Sequence, residues 1–309
     1  MPAYLLEPAL QAYVDASARF APRDDSLAAR RAAFTEACEY FTPPKPRHLL
    51  VDDDELDGIR VRSYRPAGEP PDNGWPTVLY LHGGGWNMGA HDTHDWFAHA
   101  VAKRLPVALV SMDYRLAPEH PFPAPLNDAL SVWLALRDGR WPGLSHTRLA
   151  VAGDSAGGTL AAGLCVALRE QGLLQPLLQV LVYPVLSARA DFASMDAHAE
   201  APMLTTSGLL ASLAGYVPDN AHRFDPRALP LEQHTATGLA PAFVAVAEWD
   251  PLFDQGRAYV QLLQQSAVPA QLHVGEGLVH ASLRASGVAA VECLYDAMAR
   301  ALRASLMPA

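Results

Sequence analysis

The sequence is poor in cysteine, and its few cysteines form no motif. Cys38, Cys165 and Cys293 are the only three among 309 residues, and they lie far apart without CxxC spacing. Because a disulfide framework or a zinc site needs paired or clustered cysteines, neither is expected. The pattern predicts buried free thiols in a reducing compartment.

Basic charge and long apolar runs are scarce as well. The formal net charge is −10 and no block of basic residues occurs, which argues against nucleic acid and anionic membranes as partners. No apolar run approaches the roughly 18 residues that a membrane span requires. Residues 1–8 carry neither a basic region nor a long apolar stretch. No signal peptide is therefore expected, and a cytoplasmic protein is the default.

What the chain does contain is enough apolar sequence for a large core. Half of the residues are hydrophobic and 18% are charged. Residues 1–45 show helical spacing and end at a Pro-rich stretch, so we assign them to N-terminal cap helices. After that break, over 46–309, short apolar strands alternate with helices. This alternation predicts an α/β fold with a mostly parallel central sheet and helices on both faces.

Continuous apolar runs mark the strands that are covered on both faces. These runs lie at 77–81, 107–112, 149–153, 178–183, 243–247 and 271–274. Residues 59–64 alternate apolar and polar instead, which predicts a half-buried antiparallel strand at the edge of the sheet. Residues 187–235 interrupt the alternation with polar and Pro breaks. An insertion of this length is typical of a lid, so we assign it to the cap.

Gly153-Asp154-Ser155-Ala156-Gly157 matches the pattern G-x-S-x-G directly after a buried strand and at the start of a helix. In that context the pattern forms a nucleophile elbow, a sharp turn that exposes the serine hydroxyl at the carboxyl edge of the sheet. Glycines are needed because larger side chains would clash in the turn. The sequence therefore predicts Ser155 as a nucleophile, beside the Ala156 N–H at a helix N-terminus.

A run of three glycines follows another buried strand, in the stretch 82–86, His-Gly-Gly-Gly-Trp. Successive glycines let main-chain N–H groups face a cavity without obstruction by Cβ atoms. That arrangement stabilises the oxyanion of a tetrahedral intermediate, as the HGGG element of lipases and esterases does. We expect Gly84, Gly85 and Ala156 to supply the donors.

The order of residues along the chain selects the base and the acid. A nucleophile elbow is followed first by Asp or Glu and then by His. Of twelve histidines, His280 lies just past a predicted strand, where catalytic groups gather in such sheets. Asp250 follows strand 243–247 at the same edge, although Asp before Pro is also typical of a helix cap. Asp254 and Glu248 are the rival acids.

Two other hydrolytic mechanisms have little support in the sequence. A serine–lysine pair is unlikely to form, because Lys45 lies in the Pro-rich linker and Lys103 lies in a helix before the elbow. Zinc hydrolysis would need clustered ligands such as HExxH, which is absent. The cluster at positions 91, 92, 94 and 95 is interpreted as a helix cap and solvated first turn, with a metal site as the alternative.

With these motifs in hand, the chain resembles the hormone-sensitive-lipase-like esterases, the bacterial family IV, over about residues 48–305. The Asp-Ser pair at the elbow is that of the GDSAG type. The resemblance rests on four stretches: 82–86, 113–124 (Asp-Tyr-Arg-Leu-Ala-Pro-Glu-His-Pro-Phe-Pro-Ala), 153–158, and 250–252 followed by His280.

The resemblance implies an α/β-hydrolase fold with a helical cap and a Ser155–Asp250–His280 triad. It further implies a serine carboxylesterase for short- to medium-chain acyl esters, with a small-molecule ester as partner, no metal and no cofactor. A homodimer is expected from the family alone. Stretch 113–124 is structural in the family. Two departures from the family pattern, at 253–256 and 281–283, concern the shape of the acyl pocket.

The substrate pocket is the least defined part of the prediction. A compact, largely apolar pocket would favour short acyl groups. An amidase, deacetylase or formamidase on the same triad is an alternative, because one fold supports many chemistries. A ligand receptor without activity is another, although the known receptors have lost the histidine that is present here. The candidate substrate-binding residues are Tyr13, Trp86, Met203, Leu204, Leu209 and Tyr216.

Overall fold

The computed structural model describes residues 4–307, which are built around one eight-stranded sheet. The strands are β1 (Leu49–Leu56), β2 (Ile59–Pro66), β3 (Trp75–Leu81), β4 (Ala108–Met112), β5 (Leu144–Asp154), β6 (Gln179–Val182), β7 (Ala242–Trp249) and β8 (Ala270–Val279). Their order across the sheet is β1-β2-β4-β3-β5-β6-β7-β8. Pairing is parallel from β4 to β8, and antiparallel where β2 meets β1 and β4. The predicted α/β class with a mostly parallel sheet is confirmed.

Helices cover both faces of the sheet, as the alternation predicted. They are α1 (Pro8–Ser17), α2 (Leu27–Phe41), α3 (Asp95–Ala102), α4 (Ala124–Arg137), α5 (Ala156–Glu170), α6 (Ala193–Ala197), α7 (Thr206–Tyr216), α8 (Phe253–Gln265) and α9 (Ala289–Leu306). Residues of α4, α5 and α8 share one hydrophobic core, and those of α1, α3 and α9 share the other. Over residues 4–307, none of the helices is both long enough and apolar enough to cross a bilayer.

Strand residues alternate between the two cores, as the pleat requires. On β3, Leu79 and Leu81 point to the core of α4, α5 and α8, whereas Val78 and Tyr80 point to the other core. All four are at most 2% exposed. Burial on both faces explains why this strand has a continuous apolar sequence.

The prediction that strand 59–64 forms the edge of the sheet is wrong. β2 lies between β1 and β4, and β1 is the outermost strand, paired along its whole length from Leu49 with Pro66 to Leu56 with Ile59. The apolar pattern gave no sign of β1, because its acidic residues 52–55 are all exposed. Charged side chains on an outer strand also oppose edge-to-edge aggregation.

The prediction of buried thiols holds for two of the three cysteines. Cys38 on α2 and Cys165 on α5 are buried, whereas Cys293 is exposed on α9. An amphipathic helix has a solvent face as well as a core face, and this position falls on the solvent face.

Candidate active site

The elbow sequence forms a strained turn between β5 and α5. Ser155 has φ 51° and ψ −120°, a region that L-residues other than glycine rarely adopt. Its N–H donates to Val182 O at 2.9 Å, which ties the turn to the next strand. A Cβ on Gly153 would lie 2.3 Å from Gly157 O, and one on Gly157 would lie 1.9 Å from Leu81 O. Both flanking positions therefore require glycine.

The three predicted triad residues meet at one edge of the sheet. His280 Nε2 lies 2.9 Å from Ser155 Oγ, and His280 Nδ1 lies 2.7 Å from Asp250 Oδ2. Asp250 is fully buried, and its other oxygen accepts the Leu252 N–H at 2.9 Å. An ionised carboxylate only accepts hydrogen bonds. The imidazole therefore carries its proton on Nδ1, and Nε2 is left to accept from the serine hydroxyl.

Topology explains how residues so distant in sequence come together. Ser155, Asp250 and His280 follow the carboxyl ends of the parallel strands β5, β7 and β8. The two rival acids have other partners: Asp254 accepts the Ser194 N–H at 2.9 Å, and Glu248 accepts a main-chain N–H of β8. Neither makes a hydrogen bond to the imidazole in the described chain.

Two of the three glycines after β3 adopt left-handed backbone conformations. Gly84 has φ 119° and Gly85 has φ 58°. A Cβ on Gly84 would lie 2.5 Å from Met88 O, so a larger residue would force the loop apart. Gly84 and Gly85 line the same cavity as the serine and histidine of the triad.

The three N–H groups predicted to bind an oxyanion have no other acceptor. Within residues 4–307, the N–H groups of Gly84, Gly85 and Ala156 make no hydrogen bond. The neighbouring Gly83 N–H instead donates to Asp154 Oδ1 at 2.8 Å. Buried main-chain donors are nearly always paired, so three unpaired donors beside a nucleophile are suited to an incoming negative charge.

Asp154 connects the elbow to the glycine loop, a role that sequence reasoning missed. Its Oδ1 accepts the Tyr80 hydroxyl at 2.6 Å as well as the Gly83 N–H. Burial raises the pKa of this carboxyl. The only signal in the sequence was its place as the first variable residue of G-x-S-x-G.

Stretch 113–124 supports the glycine loop from behind. The Tyr114 ring stacks on His82 with 4.2 Å between centroids, and its hydroxyl donates to His82 O at 2.7 Å. The Ala117 N–H donates to Trp86 O at 2.8 Å. These contacts fix both ends of the loop and give the stretch a structural role.

His82 makes the stability of the fold dependent on pH. The ring is fully buried, and burial lowers its pKa to about 4, although the Gly83 carbonyl bound to Nδ1 opposes this shift. Because this pKa lies below the unfolded value of about 6.5, the stabilisation is complete above pH 6.5 and is lost on acidification. We expect the free energy of unfolding to fall by about 2 kcal/mol for this group by pH 5.

Urea denaturation at pH 7.5 and pH 5 measures this effect. In a His82→Gln protein the difference between the two pH values should shrink, and comparing the two proteins isolates His82 from other titrating groups. Equal pH dependence in both proteins would show that His82 titrates normally.

The interpretation of residues 91–95 as a solvated helix start is wrong. α3 does begin at Asp95, but His91 and His94 are only 5% and 3% exposed. His91 Nδ1 lies 2.8 Å from Asp113 Oδ1. Burial lowers the pKa of His94, whose ring lines the cavity. These side chains face partners from distant strands, which spacing along one segment cannot reveal.

A cavity of about 220 Å³ lies beside the serine and is mostly apolar. Four of the predicted pocket residues line it, namely Trp86, Met203, Leu204 and Leu209. Helix α2 adds Phe34, and the segment 187–235 supplies three of the four predicted residues. Both segments assigned to the cap therefore form part of the cavity wall.

Tyr13 and Tyr216 do not line this cavity. The Tyr13 hydroxyl donates to Ala281 O at 2.8 Å, which anchors α1 to the residue after the histidine of the triad. Tyr216 is fully buried and stacks on Trp86 with 4.4 Å between centroids. Each tyrosine lies behind the wall, because its helix turns that face toward the protein core.

Sequence reasoning missed Tyr183, which lines the cavity. Its ring centroid lies 4.6 Å from that of His280, and its φ of 37° is unusual for tyrosine. Tyr183 directly follows β6 at the same edge as the triad. That position was the signal that could have found it.

The two departures from the family pattern lie at opposite sides of the cavity. Gln255 is fully buried, and its Oε1 accepts the N–H groups of Leu186 and Ser187 at 2.8 and 3.1 Å. It therefore fastens the start of the inserted segment. In the second departure, Ala281 has a left-handed φ of 57° and lines the cavity.

Comparison with known proteins gives a consistent result. A family model described as alpha/beta hydrolase fold matches residues 78–284. The esterase LipI of Mycobacterium tuberculosis is 36% identical over 92% of this chain and 89% of its own length. An ethyl acetate hydrolase of Pseudomonas putida is 39% identical over 74% of this chain and 73% of its own length.

Solved structures extend the likeness to the whole fold. The crystal structure of an esterase from the bacterial hormone-sensitive lipase family superposes with a TM-score of 0.87. It is 25% identical, and the superposition covers 99% of this chain and 100% of that one.

Proposed function

The chain belongs to the α/β-hydrolase family, as a carboxylesterase of its hormone-sensitive-lipase-like group, and we propose that it hydrolyses short- to medium-chain acyl esters with Ser155, His280 and Asp250 as its triad. The observation that carries the proposal is the continuous hydrogen-bonded line from Ser155 through His280 to Asp250, at 2.9 and 2.7 Å. Both distances are within the range for proton transfer and for holding the imidazole.

In the first half of the proposed reaction, the Ser155 hydroxyl attacks the ester carbonyl while His280 Nε2 takes its proton. Asp250 keeps the imidazole in the required tautomer and stabilises the imidazolium that forms. The N–H groups of Gly84, Gly85 and Ala156 bind the oxyanion. One such donor is worth about 10²–10³ in kcat.

In the second half, His280 gives its proton to the departing alcohol, and an acyl group stays on Ser155. A water molecule then loses a proton to His280 and attacks the acyl-enzyme. Collapse of this intermediate releases the acid and returns the proton to the serine. His280 carries every proton of the cycle, so the proposed reaction calls for no cofactor.

The size of the cavity supports a preference for short acyl groups. Its 220 Å³ lies below the roughly 300–1,000 Å³ of drug-sized sites. We propose that the two cap segments, which contribute Phe34 and Leu209 among others to its wall, close over the acyl chain. An apolar, water-poor wall strengthens the electrostatic contacts at the carbonyl.

A series of p-nitrophenyl esters of increasing acyl length tests this function. We expect kcat/KM to be highest for chains of about two to eight carbons and to fall for longer chains, because the cavity cannot enclose them. The p-nitroanilide of the preferred acid should react more slowly than the ester. A fluorophosphonate should label Ser155. Faster anilide hydrolysis would favour an amidase, and no labelling would favour a receptor.

A further inference from the structure

Arg284 is a buried cation without a counter-charge. It ends the short 3₁₀ turn after the histidine of the triad and is only 9% exposed. Among residues 4–307 it forms no ion pair, and its one hydrogen bond runs from Nη1 to Cys38 Sγ at 3.5 Å. One face of the guanidinium lies over the Phe34 ring, 5.6 Å from its centroid.

No group of the described chain near Arg284 supplies the missing negative charge. Burial raises the pKa of the Cys38 thiol and of the Tyr13 phenol, so both stay neutral at ordinary pH. Asp154 also lines the cavity, but its Oδ1 accepts from Tyr80 and Gly83. Arginine cannot lose its proton in proteins, and a buried charge is costly when it is unpaired.

The position of Arg284 relative to the site suggests what could pair with it. The guanidinium lines the same cavity as Ser155 and His280. It also lines an open cleft beside α2, and the cavity and the cleft share Phe34, Arg284 and two methionines. Arg284 therefore stands where a substrate bound at the serine would extend toward solvent.

We propose that Arg284 binds a carboxylate of the substrate, so that the enzyme prefers esters with a free carboxylate over neutral esters of the same length. The inference rests on the proposed function, because it places the ester group at Ser155. The planar guanidinium presents several donors, of which Cys38 takes one, and two parallel hydrogen bonds to a carboxylate would satisfy others. The Phe34 ring supports the cation on its face and leaves its edge available.

The test compares matched esters on the wild-type enzyme. The first arm places the carboxylate in the acid part and compares the mono-p-nitrophenyl ester of adipic acid with p-nitrophenyl hexanoate. The second arm places it in the alcohol part and compares the acetate ester of hydroxybutanoate with pentyl acetate. In at least one arm we expect kcat/KM to be about tenfold or more higher for the anionic ester, chiefly through KM. A preference for the neutral ester in both arms would overturn the proposal.

Variants tie the preference to this side chain. Arg284→Met removes the charge and should abolish the ratio between anionic and neutral esters, whereas Arg284→Lys should keep part of it. Arg257→Met removes an exposed arginine of α8 and should leave the ratio unchanged. A ratio that survives Arg284→Met would contradict the assignment. If Arg284→Met does not fold, the Lys variant and the wild-type comparison still decide.

A binding measurement separates this proposal from the proposed function. Calorimetry with the Ser155→Ala protein and the monoester of adipic acid reports carboxylate recognition without turnover. Tighter binding of the monoester than of its neutral counterpart would support the role of Arg284 even if the triad assignment failed. Equal binding would sink the role of Arg284, whatever the rate of hydrolysis.

Discussion

Replacing Ser155 by alanine is expected to lower kcat for p-nitrophenyl butyrate by about 10⁶. Ser155 Oγ is the only hydroxyl that the described structure places on His280 Nε2, at 2.9 Å. Without it no acyl-enzyme can form, and the imidazole has no nucleophile to activate. The oxyanion donors and the cavity would remain, so activity about 10³–10⁴ above the uncatalysed rate should persist.

Ser212→Ala is the matched control for this prediction. Ser212 lies on α7 and lines the same cavity, but its hydroxyl makes no hydrogen bond to the triad. Its removal should change kcat by less than about tenfold. Purified Ser155→Ala protein with wild-type rates would show that another group attacks the ester.

The N-terminal helices position the site as well as covering it. The Tyr13 hydroxyl holds the carbonyl of Ala281, next to the histidine of the triad. Arg31 on α2 donates from Nε to Asn87 O at 2.8 Å and pairs with Glu119. Cap helices that hold the loops on two sides of the serine connect the cap to the geometry of the triad.

Local motifs made the nucleophile and the glycine loop predictable from sequence. A strained turn such as that at Ser155 requires glycine neighbours, and that requirement is visible in five consecutive residues. His280 was selected from twelve histidines because chain order and strand ends restrict where a base can lie. Steric and topological rules of this kind act over short stretches or over the whole fold, so one sequence carries them.

Contacts between distant segments were not predictable. Sequence periodicity did not reveal β1, because its exposed acidic residues carry no apolar signal. The burial of His94 depends on packing against residues of three other elements. Likewise, the missing counter-charge of Arg284 is visible only once every neighbouring side chain has been placed. Pairing and lack of pairing are properties of the folded chain.

Replacing Gly157 by alanine is expected to prevent stable folding or to lower the free energy of unfolding by more than about 4 kcal/mol. The new Cβ would lie 1.9 Å from Leu81 O, a main-chain atom at the end of β3. No rotamer change can relieve a clash with backbone, so α5 and β3 would have to separate. That movement would also carry the elbow away from the glycine loop.

Gly215→Ala provides the control within the same chain. Gly215 lies in α7, and a Cβ there would meet no heavy atom within 4 Å. Because alanine favours the helix over glycine, this variant should gain up to about 1 kcal/mol. Urea denaturation of both variants measures the difference. A Gly157→Ala protein as stable as Gly215→Ala would mean that α5 does not press against β3, and the close approach that brings the Ala156 N–H beside the glycine loop would then be lost as well.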